Sequence, residues 1–274
     1  MSKRNILIEN QYELSGLFED ILKRLKEQGI DLSTVSRSNI AGVDEFHIRG
    51  AEVSKELVAE FDLRDLKVLD VGCGLGGPCR MLADEFNCQV FGIDISHEFI
   101  RTAQKLSKLL GLDGKIEFVR GDALNLPFED GSFNVVWTQH VQMNIEDKLK
   151  FYSEINRVLD KNGVFIYYDI FKKDNEDVNY PVPWANNESV SFLQTIANME
   201  SILKDLGFTR KQVTDQTFKG IEFFRNLLDK IKISGPPKIG LNVLLGDSTK
   251  EKLGNVLSGL AENKIELQSG VYMK

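Results

Sequence analysis

The sequence predicts an α/β fold in which helices cover both faces of a parallel sheet. Three observations support this prediction. From residue 67 onward, short apolar runs alternate with segments of helical periodicity. The runs are apolar almost throughout, as in strands that are buried on both faces. A glycine-rich turn follows the first run, in the stretch KVLDVGCGLGGPCR at 67–80.

Composition and charge exclude several classes of function. The chain has 274 residues, of which 42% are hydrophobic, enough for one large domain or one domain with an elaboration. The formal net charge of −7 argues against nucleic acid as a substrate, because such a partner requires a basic face. No apolar run approaches the roughly 20 residues that span a bilayer, and the first residues lack the apolar core of a signal peptide. We therefore expect a cytoplasmic protein without a membrane partner.

The three cysteines, Cys73, Cys79 and Cys88, predict no metal centre. Their spacing suits neither a zinc site nor an iron–sulfur cluster, and it does not indicate a disulfide framework. We expect buried, reduced thiols. The sequence leaves the oligomeric state open, with a homodimer as one option.

Each element of the first half has a local signal. An amphipathic helix is expected over 11–29, ending at Gly29, and a loop over 30–50 precedes a helix near 51–61. The predicted strands are KVLDV, QVFGID, IEFVRGD, FNVVWTQ and GVFIYYDIF. Further helices are expected near 77–87, 96–110 and 147–159.

The last third of the chain has weaker signals. Helices are expected near 188–206 and 217–232, with a candidate strand TRKQVTD between them. The stretch ISGPPKIG interrupts the pattern, a further helix follows, and IELQSGVYMK is interpreted as an edge strand. The stretch 172–190 is polar and irregular. A loop of this length in a compact domain more often has a function than serves only as a connection.

The glycines after the first strand indicate a cofactor site. Gly72, Gly74 and Gly77 match the pattern G-x-G-x-x-G, and Asp94 ends the second strand, where an acidic residue can bind a ribose. The pattern fits a dinucleotide and S-adenosylmethionine equally, because both contain adenosine. The glycines alone therefore do not decide between these ligands.

Three features favour S-adenosylmethionine. Asp70 closes the first strand, where a carboxylate suits the methionine ammonium and would repel a pyrophosphate. Asp122 follows the third strand, where it can accept from the adenine amino group, with Ala123 beside the ring. The stretch LPFEDGSFNVVWTQ then runs directly into the fourth strand.

These motifs resemble those of the class I S-adenosylmethionine-dependent methyltransferases, in order and in spacing. LDVGCGLGG, GIDIS, GDALNLPFEDGSFNVV and INRVLDKNGVFIYYD carry the resemblance, which is strong over about 57–171. It implies a Rossmann-like, seven-stranded mixed sheet of order 3-2-1-4-5-7-6. It also implies S-adenosyl-L-methionine as cofactor, bound by Asp70, Gly72, Cys73, Gly74, Gly76, Asp94, Ile95, Asp122, Ala123, Gln139 and His47.

The flanking segments look most like the sarcosine and dimethylglycine N-methyltransferases. EFHIRG resembles the H-I-G segment that those enzymes close over the cofactor, with Arg49 where the pattern has glycine. WTQHVQMNI and YPVPWA resemble segments of a related subgroup. The resulting expectation is a helical N-terminal lid at 1–60 and a methyltransferase domain at 61–274, with a helical insertion at about 217–262.

His140, in TQHVQMN after the fourth strand, is the candidate catalytic residue. Ligands of such sheets bind beyond the carboxyl ends of the strands, so the acceptor is expected over the loops after strands four and five. His140 serves there either as a general base or as a residue that orients the acceptor. Met143 and Asn144 are expected to line the acceptor pocket. Tyr180 and Trp184 are candidates for contacting an alkylated ammonium group or for anchoring their loop to the core.

The favoured reaction is N-methylation of a small amine or amino acid. O- or C-methylation of a small metabolite is the alternative within the enzyme class. A protein that binds the cofactor without catalysis is the alternative from another class.

Overall fold

A seven-stranded sheet forms the centre of the protein. The computed structural model describes residues 14–59, 61–173 and 178–274. The strands are β1 Lys67–Val71, β2 Gln89–Asp94, β3 Ile116–Arg120, β4 Phe133–Gln139, β5 Leu159–Lys172, β6 Thr209–Asp215 and β7 Ile265–Met273. Their order across the sheet is β3-β2-β1-β4-β5-β7-β6.

The sheet is mixed, and its topology confirms the predicted fold class. Strands β1 to β5 pair in parallel, whereas β7 pairs antiparallel with both β5 and β6. The interpretation of the last segment as an edge strand is wrong. Since β7 lies between two strands and is mostly buried, the polar and largely exposed β6 forms the edge instead. This order is the one that the resemblance to class I methyltransferases implied.

Helices cover both faces of the sheet. They are α1 Leu17–Glu27, α2 Arg37–Asp44, α3 Ala51–Val58, α4 Gly77–Glu85, α5 His97–Leu109, α6 Lys148–Val158, α7 Ile196–Asp205, α8 Thr217–Ser234, α9 Asn242–Leu245 and α10 Thr249–Ala261. The first predicted helix is found, although residues 11–13 of that prediction lie outside the described residues.

Two predictions, one of a loop and one of a helix, were wrong in part. The segment 30–50 is not all loop, because Ser36 and Asn39 form a capping box that starts α2. The helix predicted over 188–206 begins only at Ile196, where the hydroxyl of Thr195 accepts from the Asn198 amide. Residues 188–190 form a single 3₁₀ turn instead.

Both faces of the central strands are buried, as their apolar sequences predicted. Along β5, Val164, Ile166 and Tyr168 pack into the hydrophobic cluster on one face of the sheet. Phe165 and Tyr167, which alternate with them, pack into the cluster on the other face. This alternation follows from the two-residue period of a strand.

The N-terminal helices α1 and α2 pack on α5 through a third hydrophobic cluster, which also includes Ile239 and Val243. A buried ion pair reinforces the contact: Arg80 in α4 donates to the Asp44 carboxylate at 2.8 Å. Gly77 is required here, because a Cβ at this position would collide with the carbonyl group of Asp44. The segment that ends with α2 is therefore fixed against the start of α4.

The division into a lid at 1–60 and a methyltransferase domain at 61–274 stays a prediction. Helices α8, α9 and α10 lie between β6 and β7, within the predicted insertion at 217–262.

Candidate active site

A cavity of about 330 Å³ lies at the carboxyl ends of β1, β2, β3 and β4. The strand order reverses between β1 and β4, and a parallel sheet binds its ligands at such a point. The cavity is lined by these sequence-predicted site residues: His47, Asp70, Gly72, Cys73, Gly74, Asp94, Ile95, Asp122, Ala123, Gln139, His140, Met143, Asn144 and Trp184. Gly76 and Tyr180, which were also predicted, are not among its lining residues.

The glycine-rich turn gives the cavity a floor of bare backbone. Gly72 has φ 77°, and a Cβ there would collide with the side chain of Val141. Gly74 donates its amide to Asp94 Oδ2 at 3.0 Å, and no atom lies within 4 Å of the place that its Cβ would take. Gly76 instead packs against the ring of Phe118. The first two glycines thus shape the cavity, whereas Gly76 serves packing.

Asp70 is a buried carboxyl group at the end of β1. Only 2% of the residue is exposed, and the Cys79 thiol donates to its Oδ2 atom at 3.2 Å. Burial raises the pKa of Asp70 from 3.8 to about 7, and the nearby charge of Asp94 acts in the same direction. A cation bound beside Asp70 would stabilise the charged form.

Backbone amides orient the two other carboxylates. Asp94 accepts from the Ser96 amide at 2.9 Å as well as from Gly74, and Asp122 accepts from the Leu124 amide at 2.9 Å. A carboxylate oxygen has two lone pairs, so such a group can hold a backbone amide and a ligand hydroxyl together. Three carboxylates from successive strand ends therefore face one cavity.

His140 joins the N-terminal segment to the end of β4. Its Nε2 atom accepts from the Ile48 amide at 3.1 Å, and its ring stacks on Tyr168 with centroids 4.9 Å apart. Burial, with a smaller contribution from His47, lowers the pKa of His140 well below its usual range. The neutral ring therefore carries its proton on Nδ1, which has no hydrogen-bond partner among the described residues.

His47 and Gln139 are two further buried polar residues that line the cavity beside His140. His47 Nε2 donates to the Gly50 carbonyl at 2.9 Å, and burial lowers the pKa of His47 to about 4. Gln139 accepts from the Trp137 indole at 2.9 Å and contacts Ser54 Oγ of α3. These contacts hold the N-terminal segment over the cavity.

Arg49 occupies a backbone conformation that favours glycine. Its φ of 69° explains why the related pattern has glycine at this position. Its guanidinium binds Glu52 at 2.7 Å, Glu56 at 2.5 Å and Gln216 at 3.1 Å. These bonds to α3 and to the end of β6 offset the strained backbone.

Hydrogen bonds of Asn144 and Trp184 anchor the loop that follows β5 and contains Trp184. Asn144 Nδ2 donates to the carbonyl groups of Trp184 and Val190, both at 2.9 Å. The Trp184 indole donates to Ser191 Oγ at 3.0 Å, and only 4% of the residue is exposed. Trp184 therefore both anchors the loop and lines the cavity, whereas Tyr180 packs against the core.

Sequence reasoning missed a set of apolar wall residues. They come from the N-terminal segment and from the helices before β7: Phe46, Ile48, Phe223, Phe224, Leu241, Leu253 and Val256. An apolar helical pattern predicts burial, and nothing in it separates a cavity wall from a packed core. The sequence therefore carried no signal for the wall residues that precede β7, whereas Phe46 and Ile48 belong to EFHIRG, the segment that the resemblance had placed over the cofactor.

The ranges 14–59, 61–173 and 178–274 contain no group of three or more His, Cys, Asp or Glu residues placed to hold a metal ion. Within the same ranges, no helix combines the length and the apolar character needed to cross a membrane.

The strand order of the sheet is that of the class I methyltransferase fold. Residues 69–167 match the model of a family described as a methyltransferase domain. The predicted fold class is thus confirmed.

Several curated proteins are similar to parts of the chain. Ajmaline N-methyltransferase from Rauvolfia serpentina is 39% identical over 107 residues, which are 39% of this chain and 37% of that protein. Chloroplastic tocopherol O-methyltransferase from Arabidopsis thaliana is 34% identical over 60% of this chain and 48% of that protein. Sarcosine/dimethylglycine N-methyltransferase from Halorhodospira halochloris is 30% identical over 56% of this chain and 55% of that protein. The chain thus spans about half the length of these relatives, or less.

Solved structures share the fold. Phosphoethanolamine N-methyltransferase 2 from Haemonchus contortus superposes with a TM-score of 0.73 at 21% identity, over 93% of this chain and 60% of that chain. Geranyl diphosphate C-methyltransferase from Streptomyces coelicolor superposes with a TM-score of 0.68 at 14% identity, over 81% and 80% of the two chains. The similar proteins are named for methylation of nitrogen, oxygen and carbon, so they leave the acceptor open.

Asp94→Ala should weaken S-adenosylmethionine binding at least about tenfold. The reason is the loss of charge-assisted bonds to the ribose diol, at roughly 1.5–3 kcal/mol each. Calorimetric titration measures the affinity, and thermal unfolding checks that the domain stays folded. Asp113→Ala, at an exposed position, is the control. Unchanged affinity in Asp94→Ala would remove this carboxylate from the site.

Asp70→Asn should stabilise the ligand-free protein while weakening cofactor binding. The pKa of Asp70 is raised in the fold, so its ionisation costs stability as the pH rises from about 4 to about 7. Asparagine avoids this cost, and the gain in the free energy of unfolding should grow over that range, up to about 4 kcal/mol, and level off above it. Denaturant unfolding at several pH values measures the gain. A gain that is equal at pH 4 and pH 8 would contradict the assignment.

Proposed function

We propose that this protein transfers a methyl group from S-adenosylmethionine to a nitrogen atom of a small molecule. The observation that carries the proposal is a single cavity that joins two kinds of wall. The carboxylates of Asp70, Asp94 and Asp122 stand at one end, and His140 and Met143 stand with apolar side chains at the other. This is the arrangement that a charged, adenosine-containing donor and a separate acceptor require.

The residues present fit the donor. Asp70 is a buried carboxyl group that a ligand ammonium would stabilise, and Asp94 and Asp122 suit the ribose diol and the adenine amino group. The open backbone at Gly74 gives the methionine part a place to lie. When bound, this donor supplies a methyl group that is already activated on a sulfonium sulfur.

The protein then has to align the acceptor with this methyl group and to exclude water from the site. The lone pair of the acceptor nitrogen forms the new bond to carbon, the carbon–sulfur bond breaks with its electron pair going to sulfur, and the methylated ammonium releases one proton to water. Met143 and Trp184, both buried, form apolar walls for this step. An indole face also attracts the alkylated ammonium product.

The contacts of His140 favour an orienting role over that of a base. Its Nε2 lone pair is engaged by the Ile48 amide, and its other nitrogen carries the proton. The ring can therefore donate a hydrogen bond toward an acceptor without removing a proton from it. An amine that reaches the site as the free base needs no such removal before attack, and this supports nitrogen over a phenolic oxygen.

The test of the proposal is the release of S-adenosylhomocysteine in the presence of small amines, phenols and carboxylic acids. We expect release with amines, and product mass should show N-methylation. Release with only phenols or acids would replace this proposal by O-methylation. Absence of S-adenosylmethionine binding in calorimetry would contradict methyl transfer altogether.

His140→Ala should raise KM for the acceptor about tenfold and lower kcat by less than that, because an orienting bond is lost rather than a base. The shape of the pH–rate profile should stay that of the wild type. His97→Ala, at the exposed start of α5, serves as the control. A fall in kcat of about 10²-fold or more, with loss of one titration in the profile, would instead identify His140 as the general base.

A further inference from the structure

The acceptor end of the cavity is built from apolar side chains of four separate segments. Met143 follows β4, Trp184 comes from the loop after β5, and Phe223 and Leu253 come from α8 and α10. Ile145, Ile170, Pro183, Phe224, Leu241 and Val256 complete this wall. Since these segments are far apart in the chain and converge on one surface, the wall suits an apolar ligand body.

The described residues that line the cavity include no cationic side chain to bind an anion. No lysine or arginine is present among its lining residues in the described parts of the chain. Arg80 is buried nearby but donates to Asp44, and Arg49 is held by Glu52 and Glu56. A carboxylate or phosphate on an acceptor is normally met by arginine, by lysine or by several amide donors. Such an acceptor would lose its hydration here without gaining a cationic partner.

The charged residues that line the acceptor end are negative. Glu146 and Asp147 line the cavity at an exposed position after the 3₁₀ turn that carries Met143. Asp147 is held in place by accepting from the Lys150 amide at 2.9 Å. These carboxylates attract a cationic amine from solution and repel an anion.

We infer that the methyl acceptor is a hydrophobic amine: an amine nitrogen on an apolar body, with neither a carboxylate nor a phosphate group. This inference rests on the proposed function. It departs from an acceptor of the glycine series, whose carboxylate would face Met143, Trp184 and their apolar neighbours. The amine nitrogen lies toward the donor and His140, and the apolar body lies along α8 and α10.

The first test uses straight-chain alkylamines, from ethylamine to decylamine, titrated into the protein saturated with S-adenosylhomocysteine. Each added methylene should tighten binding about fourfold until the wall is covered, because burial of one CH₂ contributes about 0.8 kcal/mol. An affinity that does not change along the series overturns the inference.

The second test compares two acceptors that differ by one carboxylate, tryptamine and tryptophan. Tryptamine should bind at least about tenfold more tightly and should be the better methyl acceptor. Equal or tighter binding of tryptophan, or turnover of sarcosine in preference to the alkylamines, overturns the inference.

A matched pair of variants on α8 locates the site. Phe223 lines the cavity and is half-buried, so Phe223→Lys adds a cation to the wall in a position that tolerates a long side chain. It should weaken decylamine binding at least about tenfold. Phe218→Lys makes the same substitution in the same helix at a residue that is 69% exposed and outside the cavity lining, and it should bind decylamine like the wild type. Equal affinities in the two variants overturn the placement.

Binding of S-adenosylhomocysteine to the wild type shows whether a negative result contradicts the proposed function or only the hydrophobic-amine inference. Loss of that binding would contradict the proposed function itself. If S-adenosylhomocysteine binds and only carboxylate-bearing or phosphate-bearing amines are methylated, the proposed function stands and the hydrophobic-amine inference is wrong.

Discussion

The rest of the site depends on the hydrogen bonds that the fully buried guanidinium of Arg80 donates. It donates to the Asp44 carboxylate, to the carbonyl group of Leu75 and to the hydroxyl group of Ser107. These partners belong to the N-terminal segment, the glycine-rich turn and α5. One side chain thus fixes the glycine-rich turn, which is the cavity floor, relative to the N-terminal segment. Breaking the ion pair of Arg80 with Asp44 would leave an uncompensated charge in the core.

Much of the fold and the cofactor half of the site was predictable from sequence, because a parallel sheet brings the carboxyl ends of its strands to one edge. Asp70, Asp94 and Asp122 were assigned to strand ends, and their common cavity follows from topology. The place of β7 was not predictable from residues alone, since its alternating apolar residues fit an edge and an interior strand equally. The apolar acceptor wall was missed for a similar reason: Phe223 and Leu253 have the pattern of ordinary core residues.

The site concentrates buried acidic groups at a cost in stability. Burial raises the pKa of Glu45 to about 8, with the charge of Asp44 acting in the same direction, and that of Asp70 to about 7. Glu45 Oε2 makes no hydrogen bond within the described parts of the chain and lies 3.5 Å from His47 Nε2. Groups of this kind cluster where a protein exchanges stability for a ligand site. A positively charged donor would offset the cost at Asp70 by stabilising its ionised form.

The chemistry of the acceptor end depends on which hydrogen-bond donors and acceptors of its polar groups are not already engaged. His140 is neutral, carries its proton on Nδ1 and accepts from the Ile48 amide through Nε2. In the proposed reaction the same residue would orient the acceptor and hold the N-terminal segment in place. If His140 does not remove a proton, the favoured acceptor is an amine that attacks in its neutral form. A cavity whose lining residues, among the described parts of the chain, include no lysine or arginine favours an acceptor that carries no anion. Taken together, these two constraints support the proposed class of acceptor, an amine on an apolar body, within a fold that serves many acceptors.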